Sequence, residues 1–203
     1  MNNYIYIVAS LPDLAAGWKF AEKTPEEILG EILSLCSEKD RETVQFLQDG
    51  LDGKSLDREF YLGALSHEER FIREYFRFDL NLRNAKVRYL NRELGRPAEK
   101  DVIKLSDEQD SEEPEFEEAS KAETALGAGD ILSRERALDD LMWEKTDALT
   151  AFHYFDMDVI LGFVAKMHIV ARWYHLDEAE GRARFERLVN EVRGTFKGVE
   201  YNA

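Results

Sequence analysis

The chain has 203 residues, 44% of them hydrophobic, and a net charge of −15 from 42 acidic against 27 basic residues. That apolar content suffices for the core of one domain or two small ones and excludes global disorder. The acidic balance repels phosphate backbones and disfavours general DNA or RNA binding, and the single cysteine, Cys36, excludes an intrachain disulfide or a cysteine-based zinc site.

Met1-Asn2-Asn3 carries no basic segment, so the apolar run that follows does not read as a secretory signal. Over residues 3–11 Tyr4, Tyr6 and Val8 alternate with Ile5, Ile7 and Ala9, so both faces are apolar. This predicts a short buried element, helix or strand, ended at Leu11-Pro12-Asp13. Thr24-Pro25-Glu26-Glu27 opens a helix: Thr24 can cap, Pro25 suits the first helical position and the glutamates favour the dipole's positive end. Ile28, Ile32 and Leu35 supply its apolar stripe, and Cys36 beside it reads as a small buried hydrophobe. Ser37 can cap a second helix carrying Val44, Phe46 and Leu47 and ending at Asp49-Gly50. A short helix is predicted from Ser55 to Leu62.

Ser66-His67-Glu68-Glu69 has capping-box spacing and predicts the start of a long helix from Ser66 to Leu94, stopped by Gly95. Along it Phe71, Tyr75, Phe78, Leu82, Ala85 and Tyr89 recur in steps of 4, 3, 4, 3 and 4, a helical stripe rather than a strand's period of two. Such a helix runs about 40 Å. It builds a strut or an interface.

Beyond Gly95-Arg96-Pro97 the composition changes. From Asp107 to Glu123 nine acids face Lys121 alone, which predicts a mobile acidic connection at 97–113 and a helix from Pro114 to Leu126. Asp130 can cap the next helix, marked by Leu138, Leu141, Met142, Leu149 and Phe152. Phe155 to Tyr174 predicts another, apolar on nearly all sides between Val159 and Val170 and therefore central. Its apolar run contains Lys166 and His168 and is too short to span a bilayer. Residues 178–196 carry Phe185, Leu188, Val189, Val192 and Phe196 on one face of a last helix. No strand alternation follows residue 13. The predicted fold is all-α: an elongated multi-helix bundle with one long central helix, a single helical domain over 1–203.

The patterns that carry chemistry are missing. There is no Glu-x-x-His pair, and His67-Glu68-Glu69-Arg70 lacks a zincin's second histidine. There is no phosphate loop, dinucleotide fingerprint, nucleophile elbow or EF-hand spacing. No catalytic residue, cofactor or metal is expected. His168 and His175 read as structural or surface histidines, and Asp156 and Asp158 as dipole and cap support for the helix they flank.

Arg73, Arg77, Arg88 and Arg92 fall within about a 100° sector of the long helix. From Arg83 to Lys104 seven basic residues stand against Glu93, Glu99 and Asp101, a local +4 (7 − 3) in a chain of −15. Three readings remain open for this face: neutralisation of the chain's own acidic segment, a docking face for an acidic partner, or a nucleic-acid groove.

Phe76-Arg77-Phe78-Asp79-Leu80-Asn81-Leu82-Arg83, continuing to Arg88, resembles the acidic–Asn–Leu–basic helix of the V/A-type ATPase C-subunit family, whose eukaryotic V-ATPase member is the d subunit. Phe155-Asp156-Met157-Asp158-Val159, Lys166-Met167-His168-Ile169, Arg172-Trp173, Gly181 and Phe185 resemble a later helix pair of that family. The opening, Asn3 to Pro12, resembles an uncharacterised bacterial family encoded within V/A-type ATPase operons, a divergent stand-in for the C subunit. The chain is shorter than that family's members, so one repeated helical unit is missing or reduced.

The resemblance implies a non-enzymatic socket on the cytosolic face of the membrane. It would link the central rotor stalk to the membrane rotor ring, with those components as partners and with neither nucleic-acid binding nor direct membrane insertion. A partner interface then falls on Arg73, Arg77, Arg88 and Arg92. The alternatives are a free-standing helical adaptor and an enzyme whose pocket carries no recognisable motif.

Overall fold

The computed structural model describes residues 4–15, 23–54, 56–106 and 116–174. Among these the secondary structure is helical throughout, with no strand. In chain order the helices are α1 (Tyr4–Ser10), α2 (Pro25–Leu35), α3 (Glu38–Leu51) and α4 (Arg58–Leu65), then α5 (Arg70–Glu93), α6 (Ala119–Leu126), α7 (Ile131–Thr150) and α8 (Met157–Tyr174). The all-α class is therefore correct, and the open choice over residues 3–11 resolves as helix.

Local chemistry explains most boundaries. Thr24 and Ser37 form full capping boxes with Glu27 and Asp40. Asp130 caps α7 through Ser133. α5 stops in a Schellman turn: Gly95 adopts φ +63°, its N–H donates to Arg92 O, and the Arg96 N–H reaches back to Asn91 O at 2.8 Å.

Several boundaries differ from the expectation. α4 starts at Arg58, where the Asp57 carboxylate accepts the Phe60 N–H, and runs to Leu65. That extension uses Ser66 to close α4, because its N–H donates to Leu62 O and Gly63 O. The long helix consequently begins at Arg70, with Glu69 at the cap position and no side-chain cap. α7 and α8 stop short of Phe152 and Phe155, which stand in the intervening turn. α6 starts at Ala119, after Phe116, and residues 114–115 of its predicted span lie outside the described residues. The predicted helix at 178–196 also lies outside them.

Two helices organise the core. α5 is the longest described helix, 24 residues or about 36 Å, and packs against α4, α6, α7 and α8. Its predicted stripe is the buried one: Phe71, Tyr75, Phe78 and Leu82 are buried, and Ala85 and Tyr89 are half-buried. Phe76 adds a second face, meeting Phe46 and Phe60 edge-on. α8 packs against α1, α2, α3, α5 and α7, as its all-round apolarity predicts. Gly162 permits the α7 crossing, since a Cβ there would stand 2.6 Å from Thr150 Cγ2. Cys36 is buried, and burial pushes its thiol up.

Residues 98–105 are strapped across α5. Asn91 Nδ2 donates to Ala98 O at 3.1 Å and Lys100 O at 2.6 Å. Asn84 pairs with Ile103 in both directions, donating to its carbonyl at 2.9 Å and accepting its N–H at 3.0 Å. Arg58 donates to Lys104 O and Leu105 O. The first half of the connection expected to be mobile is thus hydrogen-bonded to α5, and residues 107–113 lie outside the described residues.

Candidate partner-binding face on the long helix

The four arginines share one side of α5, and each meets a different neighbour. Arg73 turns inward to the α4–α5 corner, where Nη1 donates to His67 O at 2.6 Å and Glu68 O at 2.7 Å. The Glu69 N–H, which a Ser66 cap would have taken, goes instead to His67 Nδ1 at 3.0 Å. Arg77 pairs with Glu74 on its own helix at 2.9 Å. Arg88 forks onto Glu99, with Nε at 2.8 Å and Nη2 at 3.2 Å from its two oxygens. Arg92 reaches Glu123 of α6 at 2.6 Å.

The strap and α6 supply those carboxylates. Asn84 and Asn91 hold the strap so that Glu99 lies beside Arg88 and within 3.4 Å of Lys104. The Arg88 fork, with Lys104 behind it, holds the Glu99 carboxyl below the usual carboxylate range. Between α5 and α6 the surface sinks into an open groove of about 390 Å³. Arg88, Tyr89 and Arg92 line one wall and Phe116, Ala119 and Leu126 the other. Two guanidiniums approach the Tyr89 ring, Arg92 at 5.9 Å and Arg134 at 5.6 Å from its centroid.

These pairs are shallow. The Arg92 and Glu123 side chains remain 57% and 62% exposed, so water competes for both groups. Surface pairs of this kind contribute about 0–1 kcal/mol each. The face thus carries paired cations whose carboxylate partners stay in contact with water.

Two polar clusters elsewhere had no signal in the residue spacing. At the corner of α5, α7 and α8, Arg70 Nη2 donates to Leu149 O at 2.8 Å and Asp158 Oδ2 at 2.7 Å, and lies 2.9 Å from His153 Nε2. On its other side the His153 ring meets Asp156, with Nδ1 at 2.6 Å from Oδ2. Asp156 also takes the Val159 N–H, the cap role expected of it, whereas Asp158 is buried as the partner of Arg70. In α5 itself, Asp79 accepts the Tyr61 hydroxyl at 2.6 Å. Burial raises the Asp79 carboxyl, and the Tyr61 and Arg83 contacts only partly offset this.

A second cleft, about 200 Å³ between α2, α3 and α8, includes Asp52 and His168, and burial lowers the His168 imidazole. His175 lies outside the described residues. Among the described residues no three His, Cys, Asp or Glu side chains are grouped to hold a metal ion, and no helix is long and apolar enough to cross a membrane.

Comparison with known proteins finds no match among curated proteins and none among solved structures. A family model described as protein of unknown function (DUF2764) does match, over residues 51–195, a span that takes in α5, the strap, α6, α7 and α8. On that match, the chain belongs to the DUF2764 family.

Proposed function

We propose that this protein is a non-catalytic subunit or accessory protein of a V/A-type ATPase, a socket that links the central rotor stalk to the membrane ring from the cytosolic side. The observation that carries the reading is the setting of the motif that resembles the ATPase C-subunit family. Asp79-Leu80-Asn81-Leu82-Arg83 lies in the middle of α5, the helix around which α4, α6, α7 and α8 pack. A torque-bearing link needs an element that does not bend under load. α5 meets that need with buried stripes on two faces, a Schellman stop and a strap bonded along its C-terminal half. Its arginine side offers acidic partners a row of cations at the surface, where charge complementarity speeds encounter and sets orientation.

The test is recovery of the tagged protein from its own cells in mild detergent. The expected result is co-recovery of ATPase stalk and ring components in fixed stoichiometry. Recovery free of every ATPase component, with the membrane complex intact in the same extract, overturns the proposal and leaves the free-standing adaptor.

A further inference from the structure

We infer that the groove between α5 and α6 seats an acidic amphipathic helix of a partner protein, whose carboxylates take the places of Glu99 and Glu123 on Arg88 and Arg92. This rests on reading the arginine face as an interface, and not on which assembly owns the partner. Arg73 belongs to the corner, and Arg77, paired with Glu74, does not line the groove, so the cations that face it are Arg88 and Arg92.

Four observations converge on that occupant. Arg88 and Arg92 stand one helical turn apart, about 6 Å along the axis, the spacing of carboxylates at i and i+4 on a facing helix. The groove lining is partly small and apolar, with Ala85 and Ala119 allowing close backbone approach and the half-buried Tyr89 and Phe116 offering ring surface. The sites already hold carboxylates in good geometry, a fork at 2.8 and 3.2 Å on Arg88 and a single bond at 2.6 Å on Arg92. Arg92 and Glu123 share a single bond and are both more than half exposed, so exchanging Glu123 for a partner's acid loses little. Bases exceed acids by 4 (7 − 3) from Arg83 to Lys104, and still by 2 (7 − 5) with the paired Glu123 and Glu135 included, which favours an acidic segment over a basic one.

The experiment uses the whole protein with labelled alanine and leucine methyls. The probe is a synthetic 18-residue helix with Leu and Phe on one face and Glu on its flanks, about 27 Å long. The control is the same peptide with Lys replacing Glu. The acidic peptide is expected to shift the Ala85, Ala119 and Leu126 methyls, and the lysine peptide to leave them unmoved. Arg92→Glu should weaken binding about tenfold, since it reverses one seat of the charge match. Glu123→Gln should tighten it about threefold, because it frees Arg92 from its internal competitor. A purely structural role for the Arg92–Glu123 pair predicts no such gain. Equal binding of both peptides, shifts elsewhere on the molecule, or unchanged or weaker binding by Glu123→Gln overturns the inference. So does movement of the same methyls when the acids at 107–115 are neutralised without peptide, which would assign the groove to the chain's own acids. Concentration-dependent self-association through these methyls would assign it to a second copy and overturn the inference too. Co-recovery of ATPase components is a separate readout: the assembly can be correct with the groove wrong, and the reverse.

Discussion

Asp79 carries the least favourable charge on α5. Burial disfavours its ionised form, the Tyr61 hydroxyl and Arg83 only partly compensate, and its carboxyl is raised. An acid raised in the folded state binds its proton more tightly there than in the unfolded chain. Its contribution to stability is full below the unfolded value of about 4 and is lost as pH rises through the raised one. Asp79→Asn keeps an oxygen for the Tyr61 hydroxyl and removes the half-buried, poorly solvated charge. The variant should therefore melt above the parent at pH 8, with the gap closing as pH falls toward 5, as followed by circular dichroism. A variant less stable than the parent at pH 8, or a gap that does not change with pH, contradicts this account. Nothing in the local sequence marks Asp79 as poorly solvated, because its surroundings include Tyr61 of another helix. His153 is similar: Arg70, Asp156 and Asp158 converge on it only once α5, α7 and α8 meet.

At the scale of elements, the helices were legible where their signals are local. The 4-3 stripe of α5, the Thr24, Ser37 and Asp130 caps and the Gly95 stop all act within a few residues, and each appears as expected. Ser66 misled because two helices compete for it, and α4 takes its backbone N–H. The strap was illegible for a different reason. Leu80, Asn84, Val87 and Asn91 repeat the 4, 3, 4 steps of a buried face, and two of the four are amides. Buried amides at that spacing signal a backbone to be bound, but do not say which. Asn84→Leu separates the strap from a loop that merely lies nearby. It leaves the Ile103 N–H and carbonyl without their partner, at about 1–3 kcal/mol for each buried group that water does not reach. Faster hydrogen exchange at Ile103 and a lower melting temperature are expected, with α5 helicity retained because leucine is a good helix former. If instead the leucine variant is more stable than the parent and Ile103 stays protected, the strap is held by its apolar contacts alone.

At the scale of the whole molecule, the sector of arginines was legible but their partners were not. A helical wheel places Arg88 and Arg92 together, whereas Glu99 comes from the strap and Glu123 from α6. The pattern therefore left three readings of the same face, and the pairs now seen supply acids from within the chain without fixing what docks there. The remaining acids have no comparable supply of cations. Forty-two acidic residues against 27 basic ones leave 15 negative charges in excess, and their repulsion acts across the surface over distances comparable to the Debye length. Contact pairs such as Lys86–Glu135 at 2.6 Å lie well inside that length, which is about 10 Å at 0.1 M salt, so salt weakens them less than it weakens the distributed repulsion. Raising NaCl from about 0.02 to 0.2 M shortens the Debye length roughly threefold and should therefore raise the melting temperature, by a few degrees if the net effect is about 1 kcal/mol. Potassium chloride should act alike, since screening depends on ionic strength and not on the cation. A melting temperature that falls with salt would mean that the surface pairs outweigh the excess charge. The shallow seats on Arg88 and Arg92 would then be firmer than their exposure implies, and a partner's carboxylates would have to displace bonds that hold the fold.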